Sequence, residues 1–164
     1  MKILIKSRAA VEKMALTPFA EHTALISIGD ANWCFAELKH KPEFLLQIAF
    51  DDVDSDVIVD ELGRKPFEEE RQKHEIKYKM FSDEQADLVA SFYHSHKDSI
   101  STLICQCEHG QSRSAAVAAA ILEYRSRKGI MVFMHEKYFP NKMVFRKVLH
   151  ALKNTNDDTL ACKC

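Results

Sequence analysis

The residues best suited to chemistry fall in one short run, Cys107-Glu108-His109-Gly110-Gln111-Ser112-Arg113-Ser114. Five residues separate a cysteine from an arginine, a serine follows, and a glycine lies between. A thiol can act as a nucleophile, and a guanidinium offers a planar fork to two oxygens of a phosphate. Where a strand turns into a helix, the first amide hydrogens of the helix lack intrahelical acceptors. Aimed inward, such amides form an anion cradle, strengthened by the helix dipole. Gly110 would let the loop bend where a Cβ would clash. Thiols beside cations or at helix starts ionise at roughly pH 3.5–7.5 rather than about 8.5, so Cys107 at the base of a cradle is placed to react. The Ser114 hydroxyl could donate to that thiolate and stabilise it as a leaving group.

The flanking segments have the composition such a turn needs. Ile100-Ser101-Thr102-Leu103-Ile104-Cys105-Gln106 is apolar and β-branched, as a buried strand would be. Ala115-Ala116-Val117-Ala118-Ala119-Ala120-Ile121-Leu122 has no polar face and reads as a buried helix. Cys105 lies two residues before Cys107, on the same face of the strand. A disulfide between them is one reading; an inert core thiol is the other.

This run resembles the active-site loop of the cysteine-dependent protein tyrosine phosphatases, most closely their compact dual-specificity branch and its small bacterial-type members. The pattern there is His-Cys, five residues, Arg, then Ser or Thr. Cys107, Gly110, Arg113 and Ser114 fall on it. The residue before the cysteine departs: Gln106 stands where the family has His, and a Gln can hydrogen-bond but cannot be cationic. The resemblance implies catalytic roles for Cys107, Arg113 and Ser114, and phosphate binding by Glu108, His109, Gly110, Gln111, Ser112 and Arg113. It also implies a protein phosphatase of phosphotyrosine, or additionally of phosphoserine and phosphothreonine, working through a cysteinyl-phosphate with no cofactor and no metal.

Elements that could position this loop are legible along the chain. Lys2 to Lys6 alternates as a strand, and Ser7 can cap a helix from Arg8 to Leu16. Thr23 to Ile28 is a second strand, stopped by Gly29-Asp30. Ala31 to Leu38, which holds Trp33 and Phe35, is a short helix or a loop. Phe44 to Phe50 is a third strand. Strands alternating with helices predict a three-layer α/β fold with a mostly parallel central sheet covered on both faces.

That third strand runs into Asp51-Asp52-Val53-Asp54-Ser55-Asp56. Ligand sites of parallel sheets lie beyond the carboxyl ends of their strands, so these carboxylates can meet the Cys107 loop. In the resembled family an Asp on such a loop protonates the leaving oxygen. The resemblance places that role on Asp52, with Asp51 and Asp54 as alternatives.

The 57–80 stretch is charged with both signs and reads as an insertion forming an exposed loop or flap, either a lid or a solvated excursion. Ser82-Asp83-Glu84-Gln85 is a capping box, opening a helix to about His94. His94 and His96 lack a third ligand and suit a helix end rather than a metal. The buried helix runs to about Arg127, with Gly129 as its terminating residue. Ile130 to Phe139 is expected to be helical, with Met131, Phe133, Met134 and Tyr138 in the core. Phe139-Pro140-Asn141 opens a last helix ending at Lys153. The expected organisation is one catalytic domain over 1–153 and an unstructured polar tail over 154–164, whose Cys162 and Cys164 cannot form a four-ligand metal site alone.

Composition narrows the partners. The chain has 164 residues and a formal net charge of −1, so no global field favours nucleic acid. No apolar run approaches membrane-spanning length, and the N-terminus lacks the apolar core of a signal peptide. Five cysteines without framework spacing suit a reduced, cytoplasmic protein. The expected partner is a phosphorylated protein. A lipid or inositol phosphatase would more often carry Lys in the loop, where this chain has Glu108 and His109. A rhodanese-like sulfurtransferase would need no Asp acid, the low-molecular-weight arsenate reductases put such a loop at the N-terminus, unlike here, and a phosphotyrosine-binding module would need no nucleophile.

Overall fold

The computed structural model describes residues 1–32, 34–53 and 78–161, with side chains through Thr155. Trp33, Asp54, Cys162, Cys164 and the charged stretch before Tyr78 lie outside the described residues. The order is β1 (Lys2–Ser7), α1 (Arg8–Met14), β2 (Thr23–Gly29), β3 (Phe44–Ala49), α2 (Asp83–His96), β4 (Thr102–Cys107), α3 (Arg113–Ser126), α4 (Ile130–Phe133) and α5 (Lys142–Ala161). The fold is α/β, with a four-stranded sheet in the order β1-β4-β2-β3. Every pairing is parallel, with Ile5 opposite Cys105 and Ile26 opposite Cys105 on the other side.

The sheet's two faces are dressed unequally. Leu103, Cys105 and Cys107 of β4 join Ile26 and Ile28 of β2 in the main core, under α2, α3 and α5. The alternate residues Leu25 and Ile104 pack with Val11 of α1 and with Leu4 and Leu45. Strand residues of successive parity point to opposite faces, so Gln106 shares the α1 face with Ser27. There the Ser27 hydroxyl donates to Gln106 Oε1 at 2.7 Å.

Local signals set the helix starts. Ser7 Oγ accepts from the Ala10 amide at the start of α1. Ser82 and Gln85 close the capping box of α2, and Gln85 Nε2 also donates to Ala49 O at the end of β3. In α3, the residues from Arg113 to Ile121 are all buried. Its alanines keep the helix thin enough to lie between the sheet and α5.

Three expectations need correction. The left-handed residue ending α3 is Arg127 (φ 58°), not Gly129. Gly129 is needed for closeness instead, since a Cβ there would sit 2.6 Å from Ala119 O. The expected helix over Ile130 to Phe139 shrinks to α4, where Val132 is buried while Met131 and Met134 are exposed. One turn has a single inward face, so apolar character alone did not bury the methionines. The last helix does not stop at Lys153 but continues to Ala161. Two of its polar side chains bond one turn back: Asn154 pairs with His150, and Thr155 Oγ1 donates to the backbone Ala151 O.

Candidate active site

All four strands are parallel, so their carboxyl ends lie along one edge of the sheet. Ser7-Arg8, Gly29-Asp30, Phe50-Asp51-Asp52 and Cys107-Glu108 leave that edge from four different strands. The site is assembled there. Cys107 ends β4, an interior strand, and is 2% exposed. Its Sγ lies 3.1 Å from Ser114 Oγ, on the first turn of α3. The chain between them returns on itself through Gly110.

Gly110 has φ 69°, and a Cβ there would meet Lys6 C and Ser7 N at 2.6 Å. Both the handedness and the closeness to β1 demand glycine. Gly110→Ala is expected to cost roughly 1–3 kcal/mol from the left-handed backbone alone, with the steric conflict added. A thermal melt checks this, and an unchanged Tm would contradict it.

The loop is braced from outside. Arg8 Nε donates to Glu108 Oε2 at 2.6 Å, and the Arg8 amide donates to Glu108 O at 3.1 Å. Arg8 Nη2 continues to Cys34 O at 2.7 Å. At the far end, the Phe139 amide donates to Gln111 O at 3.0 Å. His109 and Gln111 are exposed, Ser112 is half-buried and Ser114 is wholly buried.

Arg113 is 4% exposed and held mainly by one nitrogen. Its Nη1 reaches Asp30 Oδ1 at 2.5 Å, Phe50 O at 2.8 Å and Gly29 O at 3.3 Å. Its Nε, 3.9 Å from Asp52 Oδ2, has no hydrogen-bond partner among the described residues. Asp52 Oδ1 accepts from Ser112 Oγ at 2.8 Å and from Asn141 Nδ2 at 3.1 Å. Asn141 also caps α5, its Oδ1 accepting from the Val144 amide. The same side chain thus starts a helix and grips the acidic loop.

The neighbouring Asp51 is used differently. Its carboxylate accepts from the Ala31 amide at 3.2 Å and the Lys79 amide at 2.8 Å. It ties three loops together and turns away from the Cys107 loop, whereas Asp52 turns toward it. Cys105 is wholly buried, and burial, reinforced by the nearby Cys107, pushes its thiol up. Disulfide exchange needs a thiolate, which the burial of Cys105 disfavours.

Asp30, Arg8 and the Asn141 contact with Asp52 were missed by sequence reasoning. A signal existed for Asp30: it follows the carboxyl end of a strand in a parallel sheet, as Asp52 does. His94 and His96 serve structure, His94 Nε2 meeting Leu152 O at 3.1 Å and His96 stacking on Phe44.

The chain matches no protein-family model and no curated protein. Among solved structures it is similar to a mouse protein described as a dual specificity phosphatase, crystallised with zinc tungstate. The two are 16% identical with a TM-score of 0.48, over 96% of this chain and 86% of the other. No described helix is long and apolar enough to cross a membrane.

Proposed function

We propose that this protein is a cysteine-dependent phosphatase of phosphorylated proteins, with phosphotyrosine the favoured substrate. The observation that carries this reading is the convergence of Cys107, Ser114, Arg113 and Asp52 at one edge of the sheet. Cys107 Sγ is 3.1 Å from Ser114 Oγ, and Arg113 Nε is 3.9 Å from Asp52 Oδ2. Nucleophile, leaving-group stabiliser, oxyanion fork and acid are the parts that phosphoryl transfer through a covalent intermediate requires.

In this mechanism the Cys107 thiolate attacks phosphorus in line with the departing oxygen. The S–P bond forms as the P–O bond to the substrate breaks, and protonated Asp52 gives its proton to that oxygen. Arg113 and the loop amides from Glu108 to Arg113 hold the equatorial oxygens, more tightly as charge spreads over them. Water then attacks the cysteinyl-phosphate while Asp52, now a carboxylate, takes its proton. The thiolate departs with Ser114 donating to it, and inorganic phosphate leaves. Ser112 and Asn141 keep Asp52 over the loop throughout.

Phosphate release from phosphotyrosine peptides, measured with EDTA present, tests the reading. Turnover of those peptides is expected; absence of turnover on any phosphopeptide would overturn it. The acid has its own test. Asp52→Ala is expected to slow esters of basic leaving groups by about 10²–10⁴-fold and esters of activated phenols far less. Equal losses across leaving groups would remove the acid role from Asp52. A benign Asp52→Ala beside an Asp51→Ala that slows esters of basic leaving groups selectively would transfer that role to Asp51.

A further inference from the structure

Arg113 is buried between two carboxylates. Asp30 Oδ1 touches Nη1 at 2.5 Å, while Asp52 Oδ2 stands 3.9 Å from Nε. A guanidinium in so dry a place would close on whichever carboxylate can reach it. Were it to close on Asp52, the edge formed by Nε and Nη2 would be occupied and the acid would be held as an ion pair. The backbone carbonyls of Gly29 and Phe50 join Asp30 on Nη1. That nitrogen is therefore saturated, and Nε is left without a hydrogen-bond partner among the described residues.

The segment that carries Asp30 is held from several sides. The preceding Gly29 lies against Phe35, whose ring a Cβ would meet at 3.1 Å. The following Ala31 amide donates to Asp51 Oδ1 at 3.2 Å. Arg8 holds the carbonyls of Cys34 and Phe35 while its Nε pairs with Glu108. The segment after β2 thus touches the start of the Cys107 loop, its arginine and the acidic loop together.

We infer that Asp30 is a positioning residue for Arg113: by holding Nη1 it keeps the guanidinium off Asp52 and leaves the Nε–Nη2 edge open as the oxyanion fork. The inference rests on the phosphatase reading for its catalytic consequence, but the fork itself can be probed without turnover. The effect of charge alone has the opposite sign. Removing a carboxylate beside an anion site should strengthen anion binding, whereas losing the anchor should weaken it.

The experiment measures tungstate affinity by calorimetry, and kcat and KM on a phosphotyrosine peptide, for wild type, Asp30→Asn and Asp30→Glu. Asp30→Asn is expected to bind tungstate more weakly and to lose up to about 10²-fold in kcat, the scale of a fork displaced by about 1 Å, with KM changed far less. Asp30→Glu keeps the charge but alters its reach, so its kcat should also fall. It serves as the deciding variant if Asp30→Asn does not fold. Tungstate binding that is unchanged or tighter in Asp30→Asn, or an unaltered kcat in Asp30→Glu, overturns the inference. Wild type that binds tungstate but releases no phosphate overturns the phosphatase reading alone, and the tungstate comparison still decides the role of Asp30. Wild type that binds no tungstate overturns both.

Discussion

Cys107→Ser is expected to abolish phosphate release while leaving the fold and the anion cradle intact. The substituted atom sits 3.1 Å from Ser114 Oγ, so a hydroxyl there keeps a hydrogen-bond partner and fits the space of the thiol. Stability should therefore stay close to wild type by circular dichroism and thermal melting. Reactivity should not survive. The nucleophile is the thiolate rather than the thiol, and serine with no neighbouring general base has no comparable ionised form. Ser114, its hydrogen-bond partner, is too weak a base to take the proton. Tungstate binding should persist, because the variant keeps Arg113 and the loop amides. Loss of turnover with retained tungstate binding is the expected pair of results. Substantial turnover by a correctly folded Cys107→Ser protein would sink the nucleophile assignment.

Much of this arrangement was legible because the signals are local. The strand before Cys107 and the alanine-rich helix after it announce a turn whatever the rest of the chain does. Ser7, Ser82 and Gln85 cap the helices they precede, because caps depend on a few adjacent residues. The parallel sheet followed from alternation of strands and helices. Asp51 and Asp52 could not be separated in the same way. They are adjacent, chemically identical, and follow the same strand, so only the direction of the backbone after β3 distinguishes them. That direction is set by Lys79 and Ala31, which take Asp51.

The contacts left unread are long-range or depend on packing. Asp30 meets Arg113 because β2 lies beside β4 in the sheet order, a neighbourhood no sequence spacing encodes. Arg8 looked like the first residue of an ordinary helix, yet its side chain spans from Cys34 to Glu108. Met131 and Met134 looked like core because they are apolar, but α4 is too short to bury more than one side. The charged segment between Val53 and Tyr78 lies outside the described residues, and the lid reading attached to it stays a sequence expectation.

Arg113→Lys is expected to lose about 10²–10³-fold, the range found when one preorganised oxyanion donor is removed, and to lose it in kcat. The guanidinium does two things at once that an ammonium cannot. Its Nη1 binds Asp30 and the carbonyls of Gly29 and Phe50, and among the described residues no hydrogen bond takes Nε, so the opposite edge can face two oxygens in a plane. A lysine that reaches Asp30 spends its one nitrogen there and presents nothing to the phosphoryl group. A lysine that reaches the phosphoryl group leaves Asp30 and the Phe50 carbonyl without their donor. The Phe50 carbonyl is buried, and a buried polar group left unpaired costs roughly 1–3 kcal/mol, so the second arrangement lowers the Tm as well. In the proposed mechanism ground-state phosphate is held in part by the loop amides from Glu108 to Arg113, which the substitution leaves in place. The fork contributes most as the equatorial oxygens spread apart and gain charge, so KM should move much less than kcat. Steady-state kinetics on a phosphotyrosine peptide separates the cases. A variant with normal kcat and only a raised KM would show that Arg113 binds substrate without favouring the transition state, and the assignment of the fork would have to move to the loop amides alone.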